Sequence, residues 1–226
     1  MKNAPIHIGI IPDGNRRYAA CQRKSLVWSY THGAQIALET ARWAKAAGVR
    51  DVSFFGISNE NLRRRHPREI EALREGVVYF CELVQDYKID LHLVGNIDGL
   101  DLTEMHRKRL EDVSRKAYVG GAFTVHADIN YSGDVRSELA PLFCAIEKHG
   151  IETVKNAPEK FILSAGVPPV DLVIRTGGKA RLSGFLPFQT TQAQLYFRND
   201  LWGEFRKDIF DEALRWYELQ DKTLGA

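Results

Sequence analysis

The chain has 226 residues, with 31 Lys and Arg against 29 Asp and Glu, so its formal net charge is only +2. The 44% hydrophobic and 27% charged content excludes disordered, fibrous and collagen-like classes, and the balanced charge gives no global reason to expect nucleic acid as a partner. Three cysteines far apart in sequence (Cys21, Cys81, Cys144) exclude a disulfide framework and a zinc cluster and point to a reducing cytoplasm. The first apolar stretch is too short for a signal peptide, and no window reaches the ~18 apolar residues of a membrane span.

In chain order, "PIHIGIIP" predicts a buried strand, followed by a polar turn "DGNRR" and a helix beginning near Asn15. "HGAQIALETARWAKAAG" predicts a helix stopped at Gly48, and "VSFFGIS" (Val52 to Ser58) a second strand. The polar "SNENLRRRHP" comes next, with part of its charge expected on the solvated start of the helix "PREIEALREGVVYFCELVQDY" and His66 as a surface or capping residue. A third strand (Ile89 to Gly95), a helix (Leu102 to Tyr118), a fourth strand (Ala122 to Tyr131), a helix (Val135 to His149) and a fifth strand (Val170 to Arg175) complete the pattern. Strand and helix in alternation predict an α/β fold, one domain over 1–226 with a largely parallel sheet flanked by helices.

In such sheets ligands bind beyond the carboxyl ends of the strands, where helix N-termini face the crevice. In "DGNRRYA", Gly14 admits close backbone approach and Arg16 and Arg17 present forks suited to phosphate. Asp13 cannot hold an anion directly; it fits a Mg²⁺ that bridges to diphosphate oxygens. The plain alternative is that Asp13 caps the helix and the arginines are solvated. "RTGGKARLSGF" brings Arg175, Lys179, Arg181 and Ser183 around two glycines, a second candidate phosphate cluster. It is not a nucleotide P-loop, which would need glycine at Val173 and Ser or Thr at Ala180. The third polar segment supplies Asn61 and Arg64. No nucleophile arrangement and no metal-ligand spacing of the seven histidines is evident. Two phosphate sites without an activated nucleophile suggest chemistry in which diphosphate is the leaving group.

"HIGIIPDGNRRYA" resembles the opening signature of the cis-prenyltransferases (the undecaprenyl diphosphate synthase family), H-x-A-I-I-M-D-G-N-G-R-W-A. "FFGISNENLRR", "INYSG" and "DLVIRTGGKARLSGFLPFQTTQAQLYFRNDLWGEF" resemble three further motifs of that family, and the likeness runs from His7 to Phe205. It implies a homodimer with a hydrophobic tunnel beside the sheet. It also implies that Asp13, Gly14, Asn15 and Arg17 hold an allylic donor diphosphate with Mg²⁺. Arg175, Arg181 and Ser183 would then hold the acceptor diphosphate, with Asn61 and Arg64 assisting the reaction.

The departures are informative. Arg16 stands for a glycine, Tyr18 and Leu62 for tryptophans, Lys179 and Gln194 for glutamates, and Leu26 and Tyr30 for an arginine and a histidine of the donor site. The arginine of a closing R-x-G is absent at Thr223. An amide binds Mg²⁺ more weakly than a carboxylate, and Lys179 supplies positive charge instead. This pattern is similar to the irregular branch of the family, which makes lavandulyl, cyclolavandulyl and isosesquilavandulyl skeletons. That likeness implies dimethylallyl diphosphate as donor at Asp13 to Arg17 and a second allylic diphosphate, geranyl or dimethylallyl, as acceptor, giving a head-to-middle bond. Two rivals stand beside it: an ordinary short-chain cis-prenyl diphosphate synthase using isopentenyl diphosphate, and a silent subunit that binds isoprenoid diphosphates. Tyr18, Leu62, Phe54 and Phe55 are candidates for the apolar wall, with ordinary core packing as the alternative for both phenylalanines.

Overall fold

The computed structural model describes residues 4–97, 102–115 and 122–220. Among the described residues, six parallel strands form one sheet: β1 (His7–Ile11), β2 (Asp51–Ser58), β3 (Asp90–Val94), β4 (Thr124–Tyr131), β5 (Leu172–Arg175) and β6 (Gln194–Phe197), in the order β3-β4-β2-β1-β5-β6. Every residue of β1 is buried, which is what its unbroken apolar run requires of a central parallel strand. From β1 the chain builds outward to β2 on one side and later to β5 on the other. The gap beyond the ends of β1 and β5 is therefore the switch point where an open α/β sheet offers a crevice.

The helices are α1 (Asn15–Gln22), α2 (Leu26–Ala46), α3 (Asn59–Arg64), α4 (Pro67–Asp86), α5 (Glu104–Arg115), α6 (Val135–His149), α7 (Ile151–Val154) and α8 (Lys207–Glu218). Helix α2 starts at Leu26 and not at His32, where its apolar periodicity begins, because the Ser25 hydroxyl accepts from the Trp28 amide at 3.1 Å and caps it there. The stretch 59–64 is a helix of its own and not the start of α4. Pro67 occupies the first turn of α4, His66 ahead of it is extended and caps that helix, and the break separates the two. The short edge strand β6 and helix α8 were not evident as elements from the apolar pattern. Helix α5 ends at Arg115 within the described range, and residues 116–118 of its expected span lie outside it, as does the closing tripeptide 223–225.

Strand parity divides the core. Ile8, Ile10, Val52, Phe54, Val125, Ala127, Leu172 and Ile174 face the layer of α2, α4, α5 and α8, where Ala34, Ala37, Ala41 and Ala44 let α2 lie close. The opposite face carries Ile11, Val173, Phe185 and Leu186, but also a polar row across four strands. There His7 Nε2 meets Ser53 Oγ at 2.9 Å, His126 Nε2 meets Asp51 Oδ1 at 3.0 Å, and His126 Nδ1 meets His92 Nδ1 at 3.0 Å. His7 Nδ1 lies 2.9 Å from the Pro168 carbonyl, which accepts only, so Nδ1 carries the proton and Nε2 accepts from the serine. Among the described residues no group of three or more His, Cys, Asp or Glu side chains is arranged to hold a metal, and no helix is long and apolar enough to cross a membrane.

Burial, then the neighbouring His126, pushes the His7 imidazole down to about 4, against the pull of the Pro168 carbonyl and Asp51. A histidine whose native pKa is depressed binds its proton in the unfolded chain first. Its contribution is complete above about pH 6.5 and is lost as pH falls toward about 4. Urea midpoints measured across that window should fall with acidification, and His7→Asn should flatten the slope by about one proton, roughly 1.4 kcal/mol per pH unit. Identical slopes for the two proteins would refute the assignment.

Candidate active site

Where β1 ends, the chain turns at Asp13 and Gly14 into α1. Gly14 takes φ 114°, a left-handed value closed to most side chains, and a β-carbon there would press on Leu201 at 3.0 Å. The Asp13 carbonyl is fixed twice, by the Trp202 amide at 3.0 Å and by the Thr176 hydroxyl at 2.8 Å. Its carboxylate receives Arg17 Nη2 at 3.2 Å on one oxygen and Arg175 Nη2 at 2.9 Å on the other.

Arg175 ends β5 and is only 4% exposed. Besides Asp13 it donates to the Arg181 carbonyl at 2.5 Å and to Ser183 Oγ at 2.8 Å, while Arg181 Nε donates to the same hydroxyl at 3.3 Å. Gly177 makes the approach possible: at φ 82°, a β-carbon on it would sit 2.6 Å from Arg17 Nη2. The two phosphate-type clusters are thus in direct contact through Asp13, and they share one cleft of about 600 Å³.

That cleft is lined by Asp13, Gly14, Asn15, Arg16, Arg17, Asn61, Arg175, Lys179, Arg181 and Ser183, all of which the sequence singled out. Six cationic side chains (Arg16, Arg17, Arg65, Arg175, Lys179, Arg181) face two carboxylates, Asp13 and Glu60, so the cleft attracts anions. Asn15 is held by Pro12 and Ser29, and its Oδ1 is buried without a partner among the described residues. The Asn61 amide donates to the Ser58 hydroxyl that caps α3 at 3.1 Å, placing its side chain at the cleft.

Four singled-out residues, Arg64, Tyr18, Leu62 and Phe54, do not line the cleft. Arg64 belongs to the last turn of α3, points to solvent with its side chain 78% exposed, and pairs with Glu60 at 3.0 Å. Tyr18 stacks between α1 and α2 on Trp28 and His32, with centroids 5.8 Å and 5.5 Å away. Leu62 packs against the main core. Of the two phenylalanines, parity sends Phe54 into the core against Phe80 and leaves Phe55 on the cleft wall.

Tyr30, noted in the sequence only as a departure from the family pattern, and Arg65 also line the cleft. Tyr30 on α2 is buried, and burial raises its phenol pKa against the lowering pull of Arg65. Arg65 follows α3 with an extended backbone, which turns its side chain inward. Counting α3 forward from its Ser58 cap is the one sequence signal that could have found it.

The cleft offers a hard divalent ion two carboxylates, Asp13 and Glu60; Asp13, 32% exposed, is the one set between the two arginine clusters, and the remaining ligands would come from diphosphate and water, as is usual for Mg²⁺. Gln194 does not bear on this within one chain. It opens β6 opposite Leu172, while the cleft lies beyond Arg175 at the other end of that pairing.

The family model described as "Putative undecaprenyl diphosphate synthase" matches residues 11–225. An isoprenyl transferase of Thermus thermophilus is 30% identical over 236 residues, covering 98% of this chain and 89% of its own. One of Leptospira interrogans is 31% identical over 233 residues, covering 99% and 95%. Among solved structures, lavandulyl diphosphate synthase from Lavandula x intermedia, in complex with dimethylallyl diphosphate, superposes with a TM-score of 0.86 over 99% of both chains at 20% identity, which establishes the shared fold. With its six parallel strands, its cleft at the β1–β5 switch point and a family match over nearly the whole chain, this protein belongs to the undecaprenyl diphosphate synthase family of prenyltransferases.

Proposed function

We propose that the protein joins two allylic diphosphates head to middle, with dimethylallyl diphosphate as donor and geranyl or dimethylallyl diphosphate as acceptor. The observation that carries this reading is the Asp13 carboxylate shared by Arg17 and Arg175, which sets two oxyanion-binding groups side by side in one cleft. The departures at Arg16, Tyr30 and Lys179, all on the cleft, support the irregular branch, as does the likeness to a fold solved with dimethylallyl diphosphate.

The donor diphosphate lies against Asp13, Gly14, Asn15, Arg16 and Arg17. The C–O bond breaks with its electron pair on the diphosphate oxygen, and the arginines stabilise the charge that accumulates there. The C2=C3 π electrons of the acceptor, whose diphosphate is held by Arg175, Lys179, Arg181 and Ser183, form the new C–C bond. A proton then leaves the resulting cation for the released diphosphate. Asp13 is the residue that would hold Mg²⁺, which when bound supplies further charge neutralisation on the leaving group. Phe55, Leu73 and Ile11 give the cleft its apolar wall. The homodimer belongs to the same reading: Val135 and Phe143 on α6 and Ile151 on α7 are exposed apolar side chains that a second subunit would cover.

The second reading is an ordinary cis-prenyl diphosphate synthase, favoured by the relatives at about 30% identity that are isoprenyl transferases. Incubation with dimethylallyl and geranyl diphosphates should give branched products without isopentenyl diphosphate. Linear products that require isopentenyl diphosphate would establish the second reading, and no diphosphate release from any pair would leave a binding subunit.

Asp13→Asn should lower turnover roughly 10²-fold or more, while the thermal midpoint stays near that of the wild type because the amide oxygen still accepts from buried Arg175. Asp13→Ala should in addition cost about 1–3 kcal/mol of stability, since it leaves the buried guanidinium short of an acceptor. Unchanged turnover in the Asn variant would remove Asp13 from the chemistry.

A further inference from the structure

The wall of the cleft formed by α2 and the end of α3 carries a pair of donors that the proposed reaction has not used. Helix α3 stops at Arg64, and the following residue, Arg65, takes φ −92° and ψ 155°. This one change of backbone sends consecutive arginines opposite ways. Arg64 runs out to Glu60, while Arg65, its side chain 21% exposed, turns into the cleft.

Arg65 is held there from two sides. Its Nε lies 3.0 Å from Glu69 Oε1, and its Nη1 donates to the Tyr30 hydroxyl at 2.8 Å. Glu69 also meets Arg16, with Nε at 3.4 Å, so one carboxylate is shared by two guanidiniums and a net positive charge remains on this wall. Tyr30 is equally fixed. A β-carbon on Gly76 would lie 2.7 Å from the Tyr30 Cβ, which shows how tightly α4 presses against the base of the ring.

The hydrogen-bond directions leave capacity to spare. The Tyr30 oxygen accepts from Arg65, so its own O–H proton is available, and among the described residues no acceptor takes it. Burial keeps the phenol protonated. A guanidinium that donates to a phenol oxygen polarises the O–H and makes it the stronger donor. The two groups therefore present a phenolic O–H and a guanidinium fork together on one wall of an anion-attracting cleft.

We propose that Tyr30 and Arg65 form an oxyanion subsite that grips the diphosphate of the allylic donor beside Arg16. This rests on the diphosphate reading above. Through the shared Glu69 this pair sits beside Arg16, so a leaving group that gains charge as its C–O bond breaks meets donors from α2 and the end of α3 as well as from the Asp13 to Arg17 turn.

The test is calorimetric binding of inorganic pyrophosphate to the full chain with Mg²⁺ present, comparing wild type, Tyr30→Phe, Arg65→Gln, the double variant and the surface control Arg63→Ala. Tyr30→Phe keeps the ring against Gly76 and removes only the hydroxyl, so the fold is retained, which thermal melts verify. Each single variant should weaken binding roughly five- to twentyfold. The double variant should be no more than about twofold weaker than the worse single, because the pair acts as one unit, and Arg63→Ala should bind as wild type. Binding within twofold of wild type in both single variants, while Arg17→Gln loses it, would overturn this proposal and leave the diphosphate reading standing. A wild type that binds no pyrophosphate would overturn both.

Discussion

The contact between Arg175 and Asp13 is the constraint around which the cleft is built. A guanidinium only 4% exposed cannot be left without acceptors, because an unpaired buried charge costs several kcal/mol. Its acceptors are a carboxylate 162 residues earlier in the chain and two groups of its own loop. Satisfying it therefore fixes β5 beside β1, draws the loop after β5 back over its own strand, and requires Gly177 where any side chain would strike Arg17. The same contact has a chemical consequence. A diphosphate entering the cleft competes with Asp13 for Arg17 and Arg175, and carboxylate and phosphate repel each other. Under the proposed function a divalent ion between them replaces one repulsion by two attractions, which gives the carboxylate a reason to sit among arginines.

How much of this was legible in the sequence depended on which physical signal each element carries. β1 and β5 are short, almost wholly apolar runs and β2 and β4 are rich in apolar and aromatic residues because both of their faces are covered, and that signal survives without any knowledge of partners. β6 is an edge strand of four residues with Leu195 and Phe197 exposed and Tyr196 buried, too short for its alternation to stand out. The bounds of α6 were readable because Asp134 caps it and Gly150 stops it. The start of α2 was not, since Leu26, Val27 and Trp28 are a continuous apolar run with no helical spacing of its own and only Ser25 marks the cap.

The site shows the same division. Residues placed by a strand end or by a glycine turn, such as Asp13, Arg17, Arg175 and Ser183, are brought to the cleft as the spacing suggested. Residues whose direction depends on where a helix stops are not placed by spacing alone. Arg64 and Arg65 are neighbours of identical chemistry, and only the extended backbone at 65 distinguishes them. Phe54 and Phe55 differ by one step of strand parity, which decides between core and cleft, yet parity has no meaning until it is known which face of the sheet α2 and α4 cover. The buried polar row of His7, Ser53, His126 and His92 was equally invisible, because its partners come from four separate strands.

The polar and apolar halves of the cleft set different parts of the chemistry. Oxyanion donors recognise diphosphate whichever isoprenoid carries it, so under the proposed function the arginines, Asp13 and Ser183 would account for ionisation, and their chemistry alone would not select the carbon attacked. That choice is left to the surfaces that position two hydrocarbon tails, Phe55, Leu73 and Ile11, and to the points from which those tails are hung. Moving a cation from one element to another, as between a helix start at Leu26 and the end of α3 at Arg65, keeps the charge of the cleft while shifting the anchor of the donor. An offset of about 1 Å between reacting carbons is enough to change which bond forms. Under the proposed function, the regiochemistry of this protein would then depend less on which residues bind phosphate than on where the backbone lets them reach it.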